Sequence, residues 1–145
     1  MDLEKLREQL IIDEGVKYET YLDHLSLKTV GIGHLCREDE PEYDLELGAK
    51  VSEERVTELF EQDIQTVIQD CKKIYDDWDK LPEEVKQIVA NMMFNLGRPR
   101  YSKFRKHIQA VMDGNWQESA NQMRDSRWHK QVPNRAERLC KRMEE

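Results

Sequence analysis

The stretch SEERVTELFEQDIQTVIQDCKKI, residues 52–74, decides the fold. Its apolar residues Val56, Leu59, Phe60, Ile64, Val67, Ile68, Cys71 and Ile74 recur at spacings of three and four, the period of one helical face. Ser52 stands where a side-chain oxygen can cap the first turn. The spacing predicts one long helix over about 53–76. On its N-terminal side, Leu3, Leu6, Leu10 and Ile11 share a face of a first helix, with Asp2 as its cap and Gly15 as its stop. From Val16 to about His34 the period changes. Tyr18, Thr20 and Leu22 alternate with polar neighbours, and Thr29-Val30-Gly31-Ile32-Gly33 follows, which reads as a small antiparallel sheet. The acidic stretch from Arg37 to Leu47 contains Pro41 and reads as a loop or short broken helix, its run Glu38 to Glu46 as a solvated face.

On the C-terminal side the helical signals continue. Pro82 suits the first turn of a helix that Gly97 ends. Val85, Ile88, Val89, Met92, Met93 and Leu96 make that helix apolar around much of its circumference, as expected of a central buried element. A further helix is predicted from Ser102 to Gly114, with Phe104, Ile108, Val111 and Met112 inside. Asn115 with Glu118 forms a capping-box pattern for the next, with Trp116, Ala120 and Met123 inward. Pro133 opens a last short helix carrying Leu139 and Met143. The predicted class is α+β and predominantly helical, with one small sheet near the N-terminus.

At 145 residues the chain is long enough to bury a core in one domain without disulfide staples. No apolar run approaches the ~20 residues of a membrane span, so membrane insertion is not expected. The opening MDLEKLREQLIIDEG lacks the apolar core of a signal peptide, so a soluble protein made in the cytoplasm is expected, reaching any outside target only after release. Three cysteines, Cys36, Cys71 and Cys140, are an odd number without metal-ligand spacing; Cys71 falls on an apolar stripe and reads as a buried free thiol. No metal and no cofactor are expected. The formal net charge is −7 with no basic stripe, which argues against a nucleic-acid partner.

The segment Ile12 to His34 concentrates chemistry. Glu14 ends a helix, Asp23 follows a strand and Thr29 opens the next, so a hairpin folding back can bring all three to one lip of a cleft. Two carboxylates on separate elements suit glycoside hydrolysis, in which one donates a proton and the other assists attack. Acidic pairs are common among thirty Asp and Glu, so the pairing alone leaves the function open.

Ile12-Asp13-Glu14-Gly15, Asp23 and Thr29-Val30-Gly31-Ile32-Gly33-His34-Leu35 resemble the catalytic region of the T-even bacteriophage-type lysozymes, glycoside hydrolase family 24. Three later stretches resemble the same family in the same order: Leu59 to Asp63, Asn91 to Gly97, and Ser126 to Trp128 with Pro133 to Ala136. The resemblance implies a lysozyme-like fold over residues 1–145. A sheet lobe would occupy about 15–52, an inter-lobe helix about 53–76, and a helical lobe 77–145 together with the N-terminal helix. It implies hydrolysis of the β-1,4 bond between N-acetylmuramic acid and N-acetylglucosamine in bacterial peptidoglycan, with inversion and cell lysis. Glu14 matches the general acid, and Asp23 with Thr29 the pair orienting the attacking water. Arg135 matches an arginine that hydrogen-bonds the catalytic glutamate. His34 and Asp63 match a structural ion pair. Leu35, Phe94 and Asn95 match positions lining the saccharide cleft, with Asn95 shorter than the usual glutamine. A monomer acting on peptidoglycan is expected.

Bland readings compete at several positions. Gly31 and Gly33 lack the continuation of a phosphate loop and suit close packing instead. Trp116 and Trp128 lie among helical apolar positions and read as core rather than sugar platforms. The hairpin tip, His24 to Lys28, lacks a turn glycine, and Leu35 to Ser52 is shorter than in the longest family members. The negative charge would repel an anionic wall, so moderate salt is expected to help activity on whole cells. A lytic transglycosylase would need an acid but no water-orienting pair. A non-enzymatic carbohydrate binder on the same scaffold should have lost Glu14 or Asp23.

Overall fold

The computed structural model describes residues 1–145. The order is α1 (Leu3–Glu14), β1 (Lys17–Leu22), β2 (Lys28–Gly31), β3 (His34–Leu35), a 3₁₀ turn (Pro41–Asp44), α2 (Glu53–Ile74), a second 3₁₀ turn (Trp78–Lys80), α3 (Glu83–Tyr101), α4 (Arg105–Met112), α5 (Trp116–Arg124), α6 (Arg127–Gln131) and α7 (Pro133–Glu144). The class is α+β, as expected. The chain gathers into two compact units, Arg7–Thr66 and Met1–Leu6 with Val67–Glu145.

In the unit Arg7–Thr66 the three strands form an antiparallel sheet in the order β1-β2-β3. Tyr21 pairs with Thr29 and Leu22 with Lys28, while an irregularity between Lys17 and Tyr21 shifts the register. That shift breaks the expected alternation: Thr20 is buried, whereas Tyr18 and Leu22 are exposed. The outer edge of β1 is covered by its own chain, because Thr20 N–H donates to the Ala49 carbonyl (3.0 Å) and Val51 N–H to that of Tyr18 (2.9 Å). A paired edge cannot recruit a foreign strand. Leu10, Val30, Ile32, Val56, Leu59, Phe60 and Ile64 fill this unit's core.

The hairpin tip solves the missing-glycine problem with a serine. Ser26 takes φ +62°, the left-handed region that costs a non-glycine residue energy. The Asp23 carboxylate offsets this, its Oδ1 accepting from Leu25 N–H (2.8 Å) and Leu27 N–H (2.9 Å).

The acidic loop corrects the sequence reading. Glu40 and Glu42 are 7% and 5% exposed, not solvated. Glu42 receives Arg55 Nε and Nη2 at 3.1 and 2.9 Å, and Glu40 accepts Arg37 N–H at 2.7 Å. Charge enters the interior here because each carboxylate finds a donor.

In the other unit, α3 is the central element, with residues 85–93 all buried. Gly97 leaves helical geometry (φ 76°, ψ 159°), and a last turn through Tyr101 follows this break. Asn115 caps α5 by accepting Glu118 N–H at 3.1 Å. The reciprocal half of the capping box is absent, because the Glu118 carboxylate accepts from Gln122 instead (2.6 Å). Among the apolar residues assigned inward, Ile11 and Met112 are exposed, and Phe104, Ile108 and Trp116 are half-buried. A 3.6-residue period finds the centre of a buried stripe better than its margins.

Candidate active site

Glu14 is the last residue of α1, and the chain leaves the helix through Gly15 at φ +72°, whose N–H donates back to the Ile11 carbonyl (2.9 Å). That single bond from a left-handed glycine is a recognised helix stop. It turns the chain into β1 directly after the carboxylate. Between β2 and β3, Gly31 and Gly33 both take positive φ, which makes a tight reversal possible without strain.

Gly33 also brings backbone against the Glu14 carboxyl. A Cβ added at Gly33 would lie 3.1 Å from Glu14 Cδ and 3.2 Å from each oxygen. At Gly31 an added Cβ would meet Val56 Cγ1 at 3.0 Å. Close packing therefore accounts for both glycines. Any side chain at 33 would have to push the carboxyl aside.

Asp23 follows the end of β1, and Thr29 faces Tyr21 across the sheet. The Thr29 side chain is buried and donates its hydroxyl to the Leu27 carbonyl at 2.9 Å. A hydroxyl that has given its proton to a carbonyl presents lone pairs, so it can accept from a water. Asp23 commits Oδ1 to the hairpin tip and leaves Oδ2 unclaimed by it. Glu14, Asp23 and Thr29 thus belong to one compact unit.

Tyr21 joins them and escaped the sequence reading. Its phenol is held above the usual range, first by burial and then by the negative charges of Glu14 and Asp23. Lys17 Nζ lies 4.2 Å above the centre of its ring, a cation–π contact. The signal was present in the sequence: positions 21 and 23 are two apart, and strand residues two apart share a face.

His34 is clamped from both sides. Its Nδ1 meets Asp63 Oδ2 at 2.7 Å and its Nε2 meets Glu40 at 2.8 and 3.0 Å. Burial alone would lower its pKa, but the bonds and charges of Asp63 and Glu40 outweigh burial and raise it. Glu40 is lowered correspondingly: burial opposes this, and the His34 hydrogen bond and Arg37 N–H prevail. Leu35 is exposed beside them.

The remaining candidates lie in the helical unit, which places Phe94 and Asn95, both half-buried, on α3. The buried Trp128 donates its indole N–H to Asn95 Oδ1 at 2.7 Å, so this tryptophan is a core residue that orients the amide. Arg135, at the start of α7, donates Nε to Asn91 Oδ1 (2.9 Å) and Nη2 to the Asn91 carbonyl (3.3 Å). All three cysteines are free and buried.

Residues 12–145 match the family described as phage lysozyme. "Probable T4-type lysozyme 2" of Dictyostelium discoideum is 29% identical over 153 aligned residues, spanning 92% of this chain and 90% of the relative. "Pre-baseplate central spike protein Gp5" of Enterobacteria phage T4 is 28% identical, over 92% of this chain but 26% of its own length. "Peptidoglycan hydrolase gp36" of Pseudomonas phage phiKMV is also 28% identical, over 98% of this chain and 15% of the relative. In the last two the similarity occupies one segment of a longer protein.

Proposed function

The chain belongs to the phage lysozyme family, a glycoside hydrolase by that membership, and we propose that it cleaves bacterial peptidoglycan. The bond is the β-1,4 link between N-acetylmuramic acid and N-acetylglucosamine, and the stereochemical course is inversion. Glu14 gives its proton to the glycosidic oxygen as the bond breaks. Asp23 and Thr29 hold a water on the opposite face of the sugar, and this water attacks the anomeric carbon. His34 and Asp63 brace the sheet, and Arg135, Leu35, Phe94 and Asn95 take the supporting and saccharide-lining roles that the family resemblance implies. The protein acts as a monomer on the wall after release, and lysis follows.

The observation carrying this reading is the division of labour inside Asp23. One oxygen is spent on the turn, which fixes the carboxylate, and the turn makes no claim on the other, which can accept from a water. Thr29 is oriented in the same manner, its proton given to the Leu27 carbonyl, so that its lone pairs can accept from a water. An enzyme cleaving the same bond without water would have no use for such a pair.

Product analysis on purified peptidoglycan tests the proposal. New reducing ends, with the α-anomer formed first in proton NMR, are the expected result. An anhydro-sugar product would replace hydrolysis by transglycosylation. A β-anomer formed first would replace inversion by retention.

A further inference from the structure

Far along the chain, residues with no motif-like spacing converge. His129 on α6 and Glu137 and Cys140 on α7 bring an imidazole nitrogen, a carboxylate oxygen and a thiol sulfur within 4.8 Å of one another. His129 Nε2 already meets Glu137 Oε1 at 3.0 Å. Glu137 and Cys140 are three apart, so one helical face presents both. We propose that this trio is a binding site for a zinc-like divalent cation, with water as its fourth ligand.

The donor set selects the metal class. One nitrogen, one sulfur and one oxygen suit a borderline-soft tetrahedral ion, whereas calcium and magnesium demand oxygen ligands. Metal–ligand bonds of about 2.0–2.3 Å put tetrahedral donors roughly 3.3–3.8 Å apart. Closing the trio onto an ion therefore needs movements of about 1 Å. Cys140 is fully buried, and the other two donors are half-buried.

Arg124 is the competitor, and the structure provides for it. Its Nε and Nη2 hold the Glu137 oxygens at 3.0 and 2.9 Å. Its Nη1 is also bonded to Glu144, which gives the guanidinium a second carboxylate when the metal takes the first. The charges then close. A divalent ion and Arg124 supply three positive charges, and the Cys140 thiolate, Glu137 and Glu144 supply three negative ones. Binding exchanges the thiol proton for the metal, so one proton leaves for each ion bound. The bound ion staples α6 to α7.

Cobalt(II) titration of the full chain tests the site, because a cobalt–thiolate bond gives an intense charge-transfer band and tetrahedral cobalt distinctive visible bands. One equivalent should produce both, and zinc should bleach them and raise the melting temperature. His129→Gln and Cys140→Ala should each abolish the charge-transfer band. A Cys36→Ala, Cys71→Ala double variant, which removes the other two thiols, should keep it. The absence of a charge-transfer band, or its survival in Cys140→Ala, would overturn the site. So would a band of unchanged affinity in His129→Gln, a substitution at a half-buried position that leaves the thiol in place.

Discussion

The unit Arg7–Thr66 buries the carboxylates of Glu40 and Glu42, while the buried polar groups of the unit Met1–Leu6 with Val67–Glu145 are neutral apart from Lys86, and two histidines record the difference. His34, 3% exposed, sits between two carboxylates, which raise its pKa above the ordinary value against the effect of burial. His107, 1% exposed, sits between hydroxyls, with Nε2 2.9 Å from the Tyr101 hydroxyl and Nδ1 2.9 Å from Ser119 Oγ. Tyr101 in turn meets the Tyr75 hydroxyl at 2.5 Å. No carboxylate balances His107, so burial pushes its pKa down to about 4. The surroundings favour the proton on this side chain in one unit and disfavour it in the other. The charged interior belongs to the unit that carries Glu14 and Asp23, where fixed charges can orient a reaction. The neutral one belongs to a helical body whose work is packing.

Substitutions in the two units should therefore fail in different ways. In the sheet unit, Asp23→Ala should lower wall-clearing activity by at least about 10²-fold, the scale of a lost positioned proton acceptor. Its melting temperature should fall only by the loss of the tip bonds. In the helical unit, Met92→Ala should do the reverse. Met92 is fully buried in α3, and truncation there costs about 3 kcal/mol of stability by denaturant titration, with specific activity kept below the transition. Equal activity losses in the two variants would erase the distinction.

Acid and base should also separate the units. His107 has a folded-state pKa below its ordinary 6.5, so its contribution is present above pH 6.5 and is lost as pH falls toward about 4. The span corresponds to about 3 kcal/mol at 1.36 kcal/mol per pH unit. His34 has the opposite sign. Its contribution is present below 6.5 and is lost as pH rises through its raised pKa. Stability against pH, compared between wild type, His107→Gln and His34→Gln, should show His107→Gln flattening the acid limb and His34→Gln the alkaline limb. The smallest effect concerns Ser26. Glycine there removes the left-handed strain but adds unfolded-state entropy, a net gain of about 0.5 kcal/mol in thermal denaturation.

Much of this was legible in the sequence. The apolar period of residues 56–74 is the buried stripe of α2, and the apolar girdle of 85–96 marks the central helix α3. Glu14, Asp23 and Thr29 were singled out by the family resemblance, since spacing alone left their pairing open. What the sequence concealed depended on partners that only folding brings together. Glu40 and Glu42 looked solvated because nothing near them announces His34 and Arg55. His107 drew no attention, since its partners Tyr101 and Ser119 lie six and twelve residues away and only helix packing unites them. Ser26 took a glycine's conformation because Asp23 made the turn bonds that support it. His129 and Cys140 lie eleven residues apart on different helices, a spacing that matches no metal motif.

The central claim rests on Glu14 as proton donor, and turbidity clearing of peptidoglycan by wild type beside Glu14→Gln tests it most directly. The amide keeps the shape that packs against Gly33 but cannot donate the proton. The account predicts a loss of at least about 10²–10⁴-fold with an unchanged melting temperature. A folded Glu14→Gln variant that clears the wall as fast as wild type would contradict it.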